Sequence, residues 1–181
     1  VDRVQGLRVI DISDAGSARL VGVLDALGAG RDVAVSGNYA YVVGYPDLAV
    51  FDISDSRLPR LVGALDTPSG AAAIALSGDR AYQAGDSVQV IDISDPSSPR
   101  LVATMETPGP TVDLAISGAH AYAAARGLGV QVIDISDPGS PRLVGEVDSV
   151  YVNGVAASGG HVYAADQGAR LAVIDASDPR S

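Results

Sequence analysis

Residues 90–102 read Val-Ile-Asp-Ile-Ser-Asp-Pro-Ser-Ser-Pro-Arg-Leu-Val, and residues 132–144 repeat 12 of these 13 letters. The one difference is Ser97 against Gly139. Shorter versions of the phrase place its first aspartate at Asp11, Asp52, Asp92, Asp134 and Asp175, spaced by 41, 40, 42 and 41 residues. A second phrase, Ser-Gly followed by a tyrosine, recurs at Ser36–Tyr41, Ser77–Tyr82, Ser117–Tyr122 and Ser158–Tyr163. A period in this range is the signature of a repeat architecture, so it decides the fold before any single segment is read.

Each unit reads as four short strands. In the first full unit, 31–36 ends at a Ser-Gly turn and 39–43 follows at once, as in a tight hairpin. Residues 48–53 form a third strand, the Ser-Asp-x-x-x-Pro-Arg stretch turns the chain, and 60–65 form a fourth. Glycine and proline stand between these runs, where they cost no ladder bond. No stretch has helical spacing over 11 or more residues, so the chain is all-β. Four strands every ~40–45 residues is the period of propeller blades.

The unit phrases, as in Val-Ala-Val-Ser-Gly-Asn-Tyr-Ala-Tyr-Val-Val at 33–43 and the 90–102 stretch, resemble the LVIVD-repeat proteins. That resemblance covers essentially all of residues 1–181 and departs only at the ends, where 14–19 lacks both prolines. It implies propeller-like repeats of bacterial and archaeal, often surface-associated, proteins without an assigned common activity. An exported or cell-surface location follows from the resemblance only.

With strands lettered A to D from the axis outward, 1–28 supplies C and D of a partial blade. Full blades are expected at 29–68, 69–109 and 110–149, and 150–181 supplies A, B and C. An N-terminal D strand is expected to complete that last blade, which leaves one C strand surplus. A four-bladed ring needs large side chains to fill its wide outer wedges. This chain has one Phe, one Met, no Trp, and alanine-rich strands at 71–73 and 123–125. Such small residues suit sheets that meet at a shallow angle. The expected assembly is therefore a homodimer closing an eight-bladed ring by strand exchange.

Composition narrows function by exclusion. The 181 residues carry 12 arginines, no lysine, 22 acidic residues and a formal charge of −10, a poor surface for nucleic acid or anionic membranes. No 18-residue apolar run and no basic-then-apolar leader is found, so neither membrane insertion nor a signal peptide is expected. The absence of cysteine removes disulfides, thiolate metal sites and a cysteine nucleophile.

Recurrence separates framework from function. Fourteen of the 22 acids fall at three repeated positions, among them Asp14, Asp55, Asp95, Asp137 and Asp178 in the turn and Asp25, Asp66, Glu106 and Asp148 further on. The turn aspartates are expected to accept backbone N–H groups two residues on, and Arg19, Arg60, Arg100 and Arg142 to pair with neighbouring carboxylates. Calcium would find oxygen ligands in Asp-x-Ser-Asp but no loop of the calcium type. His120 and His161 share a slot with Tyr39 and Arg80, and no further zinc ligands accompany them. No Gly-x-Ser-x-Gly elbow and no phosphate cradle is spelled out. No catalytic residue, metal or cofactor is therefore assigned.

What does not recur lies in the D–A and B–C connections, including Asp47, Asp86 and Gln167. Loops on a rigid scaffold commonly carry binding. The candidate binding residues are Arg31, Asp32, Tyr45, Asp113, Arg126, Tyr151 and Asn153. The leading reading is a non-catalytic scaffold presenting this face to a protein or a polar ligand. The alternatives are a hydrolase-like propeller with an acidic site at the axis, and a self-assembling fragment or engineered sequence with no function of its own.

Overall fold

The structure, a computed structural model, describes residues 6–14, 16–24, 29–45, 47–148, 151–166, 168 and 170–176, with only the backbone at 29, 45 and 47. All the regular elements described are strands. Strands β3 (Ala29–Ser36), β4 (Tyr39–Tyr45), β5 (Asp47–Asp52) and β6 (Arg60–Asp66) form one antiparallel sheet in chain order. The same arrangement follows in β7 (Ala71–Ser77), β8 (Arg80–Gly85), β9 (Ser87–Asp92) and β10 (Arg100–Glu106). It recurs in β11 (Thr111–Ser117), β12 (His120–Ala125), β13 (Gly129–Asp134) and β14 (Arg142–Val147). Before these lies a two-stranded sheet of β1 (Leu7–Asp11) and β2 (Arg19–Leu24). After them comes a three-stranded sheet of β15 (Val152–Ser158), β16 (His161–Asp166) and β17 (Leu171–Asp175).

The Ser-Gly phrase makes the inner hairpin of each unit. Gly37, Gly78, Gly118 and Gly159 adopt φ of 54–59°, which a glycine takes without the Cβ clash that other residues meet. The first two strands of each unit pair with a register shift near the start, for example between Thr111 and Asp113. Such a bulge bends the strand and sharpens its twist.

Sheets stack face to face. Tyr82, Val88 and Val90 of one sheet meet Leu114, Ala121, Ala123, Ile133 and Ile135 of the next. The preceding junction repeats the pattern with Tyr41, Leu48 and Val50 against Ile91 and Ile93. The recurring tyrosines Tyr41, Tyr82 and Tyr122 are thus buried between sheets, and burial raises their pKa. Alanines on the receiving face let the sheets approach closely. A Cβ at Gly63 would run into the Pro96 carbonyl of the next unit, another mark of that closeness. The inner strands β3, β7, β11 and β15 neighbour one another in turn, so the loops before them share one face. The result is an open, propeller-like stack. No strand pairing between β1–β2 and β15–β17 is present among the described residues.

Candidate functional site

The starts of the inner strands β3, β7 and β11, with the β8–β9 and β12–β13 connections, surround a cavity of about 410 Å³. Its charged and polar wall comes from Arg31, Asp86, Thr111 and Arg126, and Gly70 and Gly85 form the close-packed floor. Each element holds its side chain for a local reason. The Arg126 N–H donates to the Pro110 carbonyl at 3.1 Å, which fixes the start of the β12–β13 connection. The Thr107 hydroxyl lies 3.0 Å from the Gly109 carbonyl and 3.3 Å from that of Asp86, tying the loop before β11 to the β8–β9 turn. A side chain at Gly85 would strike the Gly70 carbonyl, so this wall is built from bare backbone.

Both arginines are exposed. Thr111 is buried, and its Oγ1 has no hydrogen-bond partner. Two exposed arginines and one aspartate therefore line a single concavity, with Thr111 buried in its wall. Arg31 and Arg126 were expected from their failure to recur; Thr111 was not. The signal for Thr111 is that the equivalent positions hold Gly30, Ala71 and Val152.

Asp32 and Asp113 belong to the framework. Asp32 Oδ1 accepts from the Val33 N–H at 2.8 Å and Oδ2 from the Ile74 N–H of the next sheet at 2.8 Å. Asp113 does the same with Leu114 at 2.9 Å and with Val155 of the following sheet at 2.7 Å. These carboxylates clip sheet to sheet. Tyr151 is exposed in the left-handed region, with φ 87°, a strained conformation for a non-glycine residue. Asn153 is exposed on β15, away from the cavity wall. The side chains of Tyr45 and Asp47, and residues Asp25, Gln167 and Asp178, lie outside the described residues.

The recurring turns behave as their composition predicts. Asp11, Asp52, Asp92 and Asp134 each accept the N–H of the serine two residues on at 2.8–3.0 Å. Asp14, Asp55, Asp95 and Asp137 repeat this bond one turn later at 2.9–3.0 Å. Hydrogen bonds from Ser13 and Arg19 hold Asp11 down to about 2. Ser54, Ser94 and Ser136 likewise depress Asp52, Asp92 and Asp134. Of the arginines expected to pair, Arg19 bridges Asp11 at 3.0 Å, whereas the 3.0 Å bridge to Asp92 comes from Arg80, which was not among them. Among the described residues no group of three or more His, Cys, Asp or Glu is placed to hold a metal ion.

A buried polar seam was not legible from recurrence. Gln83 Nε2 donates to Gln89 Oε1 at 2.6 Å, Gln89 Nε2 to Ser69 Oγ at 3.0 Å, and Ser69 meets Ser87 at 3.0 Å. Gln131 is buried with neither end of its amide bonded. Its cue is a glutamine where Ala49 and Ala172 stand in other units.

The LVIVD repeat matches five consecutive segments, 1–26, 27–67, 69–107, 108–149 and 151–181. The chain belongs to the LVIVD-repeat family. No curated protein matches this LVIVD-repeat chain. Among solved structures it is similar to the computationally designed Ika8 protein, with a TM-score of 0.70 and 15% identity over 88% of this chain. The LVIVD chain spans half the length of Ika8, 50% of that chain. It is also similar to the computationally designed Ika4 protein, with a TM-score of 0.69 and 16% identity, covering 84% of this chain and 95% of that one. At such identities the likeness speaks for the fold alone.

Proposed function

We propose that this LVIVD-repeat chain is a non-catalytic binding module whose loop face takes a small polar ligand carrying a carboxylate, within a ring closed by two copies. The observation that carries the reading is the convergence of the exposed Arg31 and Arg126 with Asp86 on one cavity. Guanidinium forks match a carboxylate in shape and charge. In a chain of net charge −10, a paired arginine wall is a local reversal that draws an anion to this spot. Asp86 on the same wall favours a ligand that also donates hydrogen bonds, such as an amino- or hydroxy-acid group.

The absence of a catalytic role rests on where the carboxylates go. The recurring aspartates accept backbone N–H groups in turns, and Asp32 and Asp113 join sheets. Asp86 by itself on the cavity wall does not make the acid–base pair that hydrolysis of a polar substrate calls for.

Titration of the protein with lactate, a carboxylate that carries a hydroxyl donor, followed by NMR, tests the ligand reading. Saturable shifts are expected at the amides of Gly70, Gly85 and Thr111. Arg31→Ala combined with Arg126→Ala should weaken binding by roughly tenfold or more, the loss of charge-assisted hydrogen bonds. Shifts that never saturate, or equal binding by the double variant, would sink the proposal.

A further inference from the structure

Two neighbouring units treat one buried glutamine position differently. Gln89 lies opposite Gln83 in the β8–β9 ladder, and Gln131 lies opposite Ala123 at the equivalent place in β12–β13. In the first case the two amides bond each other, and Ser69 and Ser87 extend the seam. All three partner positions shrink in the next unit: Ala123 stands for Gln83, Gly109 for Ser69 and Gly129 for Ser87. The glutamine itself is kept. Gln131 is 0% exposed, and its Nε2 and Oε1 are both buried without a hydrogen-bond partner among the described residues.

The surroundings of this amide are hydrocarbon. Gln131 shares a strand face with Ile133 and a ladder position with Ala123, and both pack against Ala84, Val88 and Val90 of the preceding sheet. A buried amide left bare there costs more than an apolar side chain of the same shape. A longer connection shuts the position off from solvent. Residues 126–128 join β12 to β13, where Asp86 alone joins β8 to β9. The Leu128 N–H donates to the Ala125 carbonyl at 3.1 Å, and Leu128 Cδ1 lies 2.8 Å from where a Cβ on Gly109 would be. Leu128 thus covers the ground that Ser69 holds in the unit before. Gly129 takes φ 79°, which a serine would adopt only under strain, so the Ser87 arm of the seam is lost with the longer connection.

We infer that Gln131 is the anchor of an internal water site, in the room made by Ala123 and Gly129 and closed by Leu128. The amide selects its guest. Nε2 offers hydrogens and Oε1 offers lone pairs, so the guest has to accept and donate at once. An ammonium ion would answer only the carbonyl, and an anion only the NH₂ group. Full burial limits the guest to about the size of the amide that Ala123 lacks and Gln83 carries. Water meets both conditions, with about 30 Å³ of volume and about three hydrogen bonds in a buried site. It does for Gln131 what Gln83 and Ser69 do for Gln89. The site is separate from the arginine-lined cavity, whose wall does not include Gln131.

Cross-relaxation between water and the glutamine side chains, measured by NMR on the full chain with ¹⁵N-labelled glutamine, tests the site. The Gln131 NH₂ signal is assigned by its loss in Gln131→Met. It should show a cross-peak at the water frequency, of the same sign as the diagonal in the laboratory frame and of opposite sign in the rotating frame. That pattern belongs to a water held longer than the molecule takes to tumble. No such peak, or the same sign in both frames, which is proton exchange, would overturn the site. Ala123→Gln restores the partner that Gln89 has and should abolish the peak; its persistence there would place the water elsewhere and overturn the assignment. Urea unfolding gives an independent reading. Gln131→Met keeps the length of the side chain and should leave the midpoint level or lower it, since a hydrated amide carries no unanswered groups. A clear rise in the midpoint would show that the amide is bare and overturn the inference.

Discussion

Asp32 and Asp113 show how a residue's role can hide in the wrong period. At the 41-residue spacing they do not recur, because Ala73 and Gly154 stand at the equivalent positions. Two units apart they do recur, and each reaches the backbone N–H of the residue that follows the small one in the next sheet. The small residue leaves the room: a Cβ on Gly154 would lie 3.6 Å from Asp113 Oδ2. Ile74 is buried, so Asp32→Ala strands its N–H without an acceptor. Urea unfolding should report a loss of roughly 1–3 kcal/mol, the cost of a buried unanswered donor. Asp32→Asn, which keeps a carbonyl acceptor, should recover part of it. A change for Asp32→Ala within about 0.5 kcal/mol, the usual range for inert surface sites, would refute the clip.

The turn between the third and fourth strands is the element most legible in the sequence. Its Asp-x-Ser-Asp phrase specifies local hydrogen bonds that need no distant partner. Those bonds also set an acid limit. Asp11 is held to about 2, and Asp52, Asp92, Asp95 and Asp134 are lowered by their serine N–H and hydroxyl donors. A carboxylate whose folded pKa lies below its unfolded value of about 3.9 stabilises the fold above that value. The contribution disappears as pH falls from there through the folded pKa. The melting temperature should therefore be nearly level from pH 7 to 5 and drop between about pH 4 and 2. Asp52→Asn should shallow that drop in a calorimetric pH series. An unchanged slope would mean that these turns are not what fails in acid.

At the scale of the whole molecule, the repeat phrase carried the reading of an all-β, propeller-like LVIVD-repeat chain. The inter-sheet packing follows from it. Alternating residues of each strand face opposite neighbours, and the alanines of β8 and β12 let those neighbours close up. Assembly makes a thermal prediction here. A ring that binds a second copy of itself gains stability with concentration, about 2.7 kcal/mol at a hundred times the dissociation constant. For a chain of this size that corresponds to a rise of several degrees in melting temperature. Differential scanning fluorimetry over a hundredfold dilution series should show the rise. A melting temperature independent of concentration would argue against association.

Recurrence alone determined the strand order and the turn chemistry, since both depend on local spacing. It also marked Arg31 and Arg126 as departures from the repeat. Only the tertiary structure decided that these two arginines share one cavity with Thr111, while Asp32 and Asp113 brace neighbouring sheets. The physical reason is that a non-recurring polar residue looks the same along the chain whether it faces solvent, a cavity or the next sheet. The difference lies in the bulge and twist that aim its side chain, and these are set by packing between residues some 40 positions apart.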